Sequence, residues 1–227
     1  MTETKNQISQ SELAYRKLRE AITFGELQPG ERLVETAICK EYNLGRTPLR
    51  EAIRRLQNDG YIDVVPNKGV TVKKLSLDDV ANIWSIIALM EGYATELAVG
   101  KLNAEDVDAL ADYHEKMSGL TGSEEASGYV ELNVAFHRLL THGCENDYLI
   151  KTIEEFRAKI YRYRFLTVFN FGNQEQLNND HQAIMDAIIN NDPPYAIGQI
   201  VRRHIERIRD ISLELLTKGD PRGVLVA

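Results

Sequence analysis

The chain has 227 residues, 43% of them hydrophobic and 27% charged, with a formal net charge of −7, a globular balance long enough for two domains with separate cores. Two cysteines, Cys39 and Cys144, are too few for a disulfide framework and read as buried thiols of a reducing compartment. No apolar run approaches the roughly 18 residues of a membrane span, since IWSIIALM is cut at once by Glu91, and the N-terminus lacks a signal-like apolar region; a cytoplasmic location with no membrane partner is expected.

Residues 13–23 repeat apolar positions at Leu13, Leu18 and Ile22, with Ala14, Tyr15 and Ala21 filling in, which predicts a first helix stopped by Phe24-Gly25. GELQPGERL makes a turn. Residues 35–42 predict a short second helix with Ile38 inward, and Asn43-Leu44-Gly45 breaks the chain again. Then LGRTPLREAIRRLQNDG (44–60) predicts a third helix. Leu49, Ile53 and Leu56 face a core, while Arg46, Arg50 and Arg54, each four residues apart, share the opposite face, with Arg55 beside them. Guanidinium groups are permanently charged planar forks that match both phosphate oxygens and the major-groove edge of guanine, so such a face suits duplex DNA; the bland alternative is a solvated face with Arg50 or Arg54 in weak pairs with Glu51. Residues 61–65 and 70–73 are β-branched runs joined by Pro66-Asn67-Lys68-Gly69, a small hairpin with glycine where a positive φ is needed. Helix, turn, helix and wing follow one another.

Charge divides at the same place. Residues 1–74 hold 13 Lys and Arg against 10 Asp and Glu, a net +3, and the remainder holds 14 against 24, a net −10. Only the first part suits a polyanion.

From residue 76 onward the pattern is helical, with about six helices separated by breaks at 119–123, 143–147, 171–173 and 190–194. Asn103 with Asp106 forms a capping pattern, as does Ser76 with Asp79, and Pro193-Pro194 places proline in a first turn, where its missing N–H costs nothing. Asn133 and His137 lie four apart on one of these helices, His181 on a later one and His204 on the last. Side chains facing the middle of a helix bundle can build a metal site, and neutral imidazoles with an oxygen donor suit zinc, nickel or a similar divalent ion. His114 and His142 read as ordinary surface or hydrogen-bonded histidines.

Three motifs in this order, FGELQPGERL, GRTPLREAIRRLQNDGYI and PNKGVTV, resemble the winged helix-turn-helix domain of the GntR family of bacterial transcription regulators. The resemblance implies that Arg46 and Arg50 contact bases or nearby phosphates, that Thr47 contacts a phosphate, and that Lys68 and Gly69 lie in or along the minor groove. Gly45 stands where the family usually has Ser or Thr, so a side-chain cap or phosphate contact is missing and only its backbone N–H remains for a phosphate. Residues 77–216 resemble the FCD ligand-binding domain of the FadR-type subfamily, whose metal-binding members have an aspartate four residues before a histidine and one histidine on each of two later helices. That pattern falls on Asn133, His137, His181 and His204, with asparagine replacing the acid. A second departure is Ile87, where relatives often carry an arginine four residues before the glutamate matching Glu91. Arg162 and Arg164 are the cationic candidates for an effector, with solvent as the alternative destination of both.

The expected fold is therefore mainly α: a winged helix-turn-helix, α with a small β-hairpin, over residues 1–75, then an all-helical FCD bundle over 76–227 that binds effector and metal and dimerises. The expected function is a homodimeric regulator, a repressor, on an inverted-repeat operator in double-stranded DNA, modulated by a small molecule, organic acids among the candidates, with zinc or nickel in the helical domain. A regulator in which the ion itself is the effector, and a three-histidine metalloenzyme, are the alternatives. No HExxH, phosphate loop or GxSxG favours an enzyme.

Overall fold

The computed structural model describes residues 9–65, 69–120, 126–169 and 174–218, with backbone alone for 24, 126–127 and 161–169. It divides into two compact units, one up to Ser76 and the other from Leu77.

In the first unit α1 (Gln10–Phe24) begins three residues earlier than the apolar repeat indicates, because Ser9 Oγ accepts a hydrogen bond from the Glu12 backbone N–H at 3.1 Å and so caps the first turn. After the turn come β1 (Arg32–Leu33), α2 (Glu35–Glu41), α3 (Arg46–Asn58), β2 (Ile62–Val65) and β3 (Gly69–Val72). The expected hairpin is present, Val65 pairing with Gly69 and Ile62 with Val72. A third strand was not expected: β1 pairs antiparallel with β3, placing β3 in the middle of the sheet. Leu18 and Ile22 of α1, Leu49 and Leu56 of α3, and Ile62 of β2 are fully buried together with Val72, so the apolar stripe of each element faces one core.

The second unit holds six α-helices among the described residues, α4 (Leu77–Ala98), α5 (Ala104–Gly119), α6 (Ala126–His142), α7 (Asp147–Phe169), α8 (Gln174–Ile189) and α9 (Pro194–Lys218), with one 3-10 turn over Val99–Lys101. The Asn103 and Asp106 capping box opens α5 and Pro194 opens α9, as expected. α4 packs along α9 around a pair of glycines; a Cβ added to Gly198 would lie 2.6 Å from the Gly92 carbonyl oxygen, so the backbones meet with no side chain between them. Trp84, Ile87, Phe136, Leu140, Ile184, Val201 and Ile205 fill the core. Cys144 is buried, whereas Cys39 is only half-buried, and both are free thiols.

Candidate DNA-reading surface and metal centre

On the first unit the buried stripe of α3 turns Arg46, Thr47, Arg50 and Arg54 outward together, all exposed. Gly45 holds the N-cap position with extended backbone and no side-chain hydrogen bond, leaving the first-turn N–H groups unclaimed by a cap. Arg55 belongs to the structure of the head instead. Its guanidinium stacks 4.1 Å above the Tyr15 ring and pairs with Glu12 at 2.6 Å, tying α3 to α1. Tyr15 in turn donates to Asp59 at 2.6 Å, and burial with that carboxylate pushes its hydroxyl up to about 12.

The pairing with Glu51 that the bland alternative called for is not what Arg50 makes. Arg50 instead reaches across to Glu35 at the start of α2, its Nε donating to Oε1 and Oε2 at 3.2 and 3.1 Å, with Nη2 3.1 Å from Oε2. Gly69, with φ +95°, starts the second wing strand, and a Cβ there would sit 3.3 Å from Arg32 Nε. Arg32 is thus a wing cation that sequence reasoning missed, since nothing in ERL marks a strand. Lys68 lies outside the described residues.

In the second unit His137 of α6, His181 of α8 and His204 of α9 converge, one ring nitrogen of each lying within 4.8 Å of the others, all three side chains buried. His137 and His204 stack nearly parallel at 5.2 Å, and His181 is 4.5 Å from His204. Nε2 of His137, both nitrogens of His181 and Nε2 of His204 have no hydrogen-bond partner among the described residues. Buried polar atoms are normally satisfied. Four such nitrogens in one place fit a divalent ion bound by imidazole, whose metal–nitrogen bonds are about 2.0–2.1 Å.

Two carboxylates set the outer edges of these rings. Glu91 Oε2 lies 3.1 Å from His137 Nδ1, and Asp180 Oδ2 lies 3.2 Å from His204 Nδ1, carboxylates that favour a proton on the Nδ1 side of each ring and leave Nε2 as the metal-binding nitrogen. Burial pushes His137 down to about 4 and His181 well below its ordinary value, so both are neutral donors. Burial opposes ionisation of Glu91, but the Arg157 guanidinium and His137 outweigh it and hold the carboxyl well below its usual range. Asn133, buried and one turn before His137 on α6, is the nearby oxygen donor by position.

Sequence reasoning missed a cation in this region, Arg157, which lies beside Glu91. Ile87 is fully buried, and Arg157 of α7 donates from Nε to Glu91 at 2.7 Å and from Nη1 to Glu154 at 2.9 Å. Its Nη2 is buried and has no partner among the described residues. The side chains of Arg162 and Arg164, further along α7, lie outside the described residues. His114 bonds Gln182 at 3.0 Å and His142 lies 3.7 Å from Glu154; neither nitrogen set joins the cluster.

A winged head exposing arginines on its third helix, followed in the chain by an all-helical domain with a buried histidine centre, defines a DNA-binding regulator. The comparisons place it more narrowly. The model for bacterial regulatory proteins of the gntR family matches residues 10–72, and that for the FCD domain matches 82–207. The chain belongs to the GntR family, in the FadR-type branch that carries the FCD domain, and is a DNA-binding transcription regulator. It is 31% identical to the HTH-type transcriptional repressor GlaR of Escherichia coli K12 over 84% of this chain and 90% of that one. It is 28% identical to the uncharacterized regulator YdhC of Bacillus subtilis, over 77% and 78%. Among solved structures, Escherichia coli McbR/YncC shares the fold with a TM-score of 0.71 at 20% identity, covering 93% of this chain and 99% of its own. These relatives are regulators and not enzymes, which removes the metalloenzyme alternative. No helix among the described residues is long and apolar enough to cross a membrane.

Proposed function

We propose that the protein is a cytoplasmic homodimeric repressor whose two heads grip an inverted repeat in double-stranded DNA and are released by a small organic acid bound in the helical domain beside a divalent ion. The carrying observation is the outward face of α3, where Arg46, Thr47 and Arg50 stand clear of the core with the wing residues Gly69 and Arg32 on the same small unit. Arg46 and Arg50 contact bases or adjacent phosphates, Thr47 and the Gly45 N–H contact phosphates, and Lys68 with Gly69 follows the minor groove. Relatives named as repressors support the sign.

His137, His181, His204 and Asn133 hold the ion, zinc or nickel by donor type. When bound, the ion supplies a charge to which an acidic ligand can attach. The partnerless Nη2 of Arg157 supplies a second cationic group, with Arg162 and Arg164 as the other candidates on α7. Ligand binding that favours one spacing of the heads over another changes operator affinity by linkage. A regulator in which the ion is itself the effector rests on the four partnerless imidazole nitrogens. Chelator sensitivity of operator binding separates the two.

The test uses a duplex enriched from a randomised library by the wild-type protein. Arg50→Ala abolishes specific binding to it in a gel-shift assay while the circular-dichroism melt stays unchanged. Undiminished binding overturns the assignment.

A further inference from the structure

Arg50 is held while its neighbours on the same face are not. Among the described residues Arg46 and Arg54 make no ion pair, whereas the Arg50 guanidinium is clasped by both oxygens of Glu35, with side-chain exposures of 65% and 35%. A pair this exposed adds little to stability. A carboxylate at the first turn of α2 is also favoured by the helix dipole, but that does not require it to fork onto an arginine of another helix. Beside a DNA-reading face a negative charge is costly, because it repels the phosphates that supply most of the affinity.

The geometry of the fork explains what the cost obtains. A guanidinium has five N–H donors and two edges that can bond in parallel. Glu35 occupies the edge formed by Nε and Nη2. The end formed by Nη1 and the outer hydrogen of Nη2 remains, and it can give two parallel bonds to O6 and N7 of one guanine. A side chain with four rotors is thereby aimed before DNA arrives, and the ordering entropy is spent in the free protein.

We propose that Glu35 is a positioning residue for base specificity: it touches no base, but by holding Arg50 side-on it makes each head demand a guanine at one position of its half-site. Arg46 and Arg54 are not braced in this way. This rests on the reading of Arg50 as a DNA contact.

The experiment measures fluorescence anisotropy of full-length wild type, Glu35→Gln, Arg50→Ala and the double variant. The probes are the library-enriched duplex, a scrambled duplex of equal length, and a set with each base pair changed in turn. Glu35→Gln is expected to bind the scrambled duplex more tightly. Its ratio of enriched to scrambled affinity falls about tenfold, within the range of one bidentate arginine–guanine pair. The lost preference falls at the same base pair that Arg50→Ala loses, and the double variant is no less selective than Arg50→Ala. Equal tightening on both duplexes means that Glu35 only repels DNA and overturns the proposal. A ratio that rises means that Glu35 withholds Arg50 from DNA and overturns it too, as does no change. If Arg50→Ala itself keeps full selectivity, the reading of Arg50 has failed, a result distinct from failure of Glu35→Gln alone.

Discussion

Glu91 and Arg157 face each other between α4 and α7, Nε to Oε1 at 2.7 Å, with side-chain exposures of 0% and 5%. Breaking such a pair from one side leaves a buried charge uncompensated, at about 3–5 kcal/mol, while replacing both partners by apolar residues of similar volume is often neutral. Arg157→Met is therefore expected to lower the stability of the helical unit by that amount, and Glu91→Leu with Arg157→Met to recover most of it. Chemical unfolding of the three proteins checks this. A double variant as unstable as the single one would mean that the two side chains do not act as a pair.

The same pair marks where sequence reading stops. The arginine face of α3 was legible because its periodicity is local: Leu49, Ile53 and Leu56 on one side determine that Arg46, Arg50 and Arg54 lie on the other. The three histidines were legible as residue types on separate helices, but their carboxylates were not. Asp180 precedes His181 in the chain yet serves His204 of α9, because adjacent residues on a helix point in different directions. Arg157 carries no local mark of burial; only the packing of α7 on α4 brings it to Glu91. Arg50 illustrates the same limit, since its neighbour in sequence is Glu51 and its partner in space is Glu35. The strand β1, two residues long, is too short for any alternation to show.

Metal affinity tests the donor set and its outer carboxylates. Asn133 offers an uncharged oxygen where a carboxylate would add a negative charge, so Asn133→Asp is expected to tighten zinc binding. Asp180→Asn, which loosens the alignment of His204, is expected to weaken it about 10–100-fold. Competition titration against a chromophoric chelator reads both, and metal content after dialysis gives a second measure. Unchanged affinity in both variants would remove the ion from this site.

The crossing of α4 and α9 admits no methyl group. Gly198→Ala would place a carbon 2.6 Å from the Gly92 carbonyl oxygen and 3.2 Å from Glu96 Cβ, so the helices must separate. A loss of about 1–3 kcal/mol is expected, the usual range for overpacking. Gly100→Ala has nothing within 4 Å of the added carbon and is the control. Equal melts for the two variants would show that the crossing yields freely.

The homodimer proposed above has a candidate seam on α4. Ile86, Leu89 and Tyr93 are 39%, 51% and 53% exposed at spacings of three and four, the repeat by which two helices interlock. A second copy is the occupant that an inverted-repeat operator requires. Leu89→Glu is expected to yield a monomer in light scattering and to lose operator affinity about a hundredfold or more, as the second head no longer binds in tandem. A dimer that persists with full operator affinity would place the interface elsewhere.

Alkaline pH tests the brace between α1 and α3. Tyr15 is 8% exposed, and burial together with the Asp59 carboxylate pushes its hydroxyl up to about 12 from an ordinary value of 10.0. The folded head therefore holds this proton more tightly than the unfolded chain does. Its contribution to stability is complete below pH 10 and is lost as pH rises toward 12. Tyr15→Phe is expected to flatten the pH dependence of head stability across that window, read from amide exchange in α1 and α3. The tyrosinate absorbance of wild type minus variant should show one hydroxyl ionising near 12. A difference spectrum centred at pH 10 would mean that Asp59 and burial leave Tyr15 unperturbed, and that Arg55 stacked on the ring holds the two helices together without it.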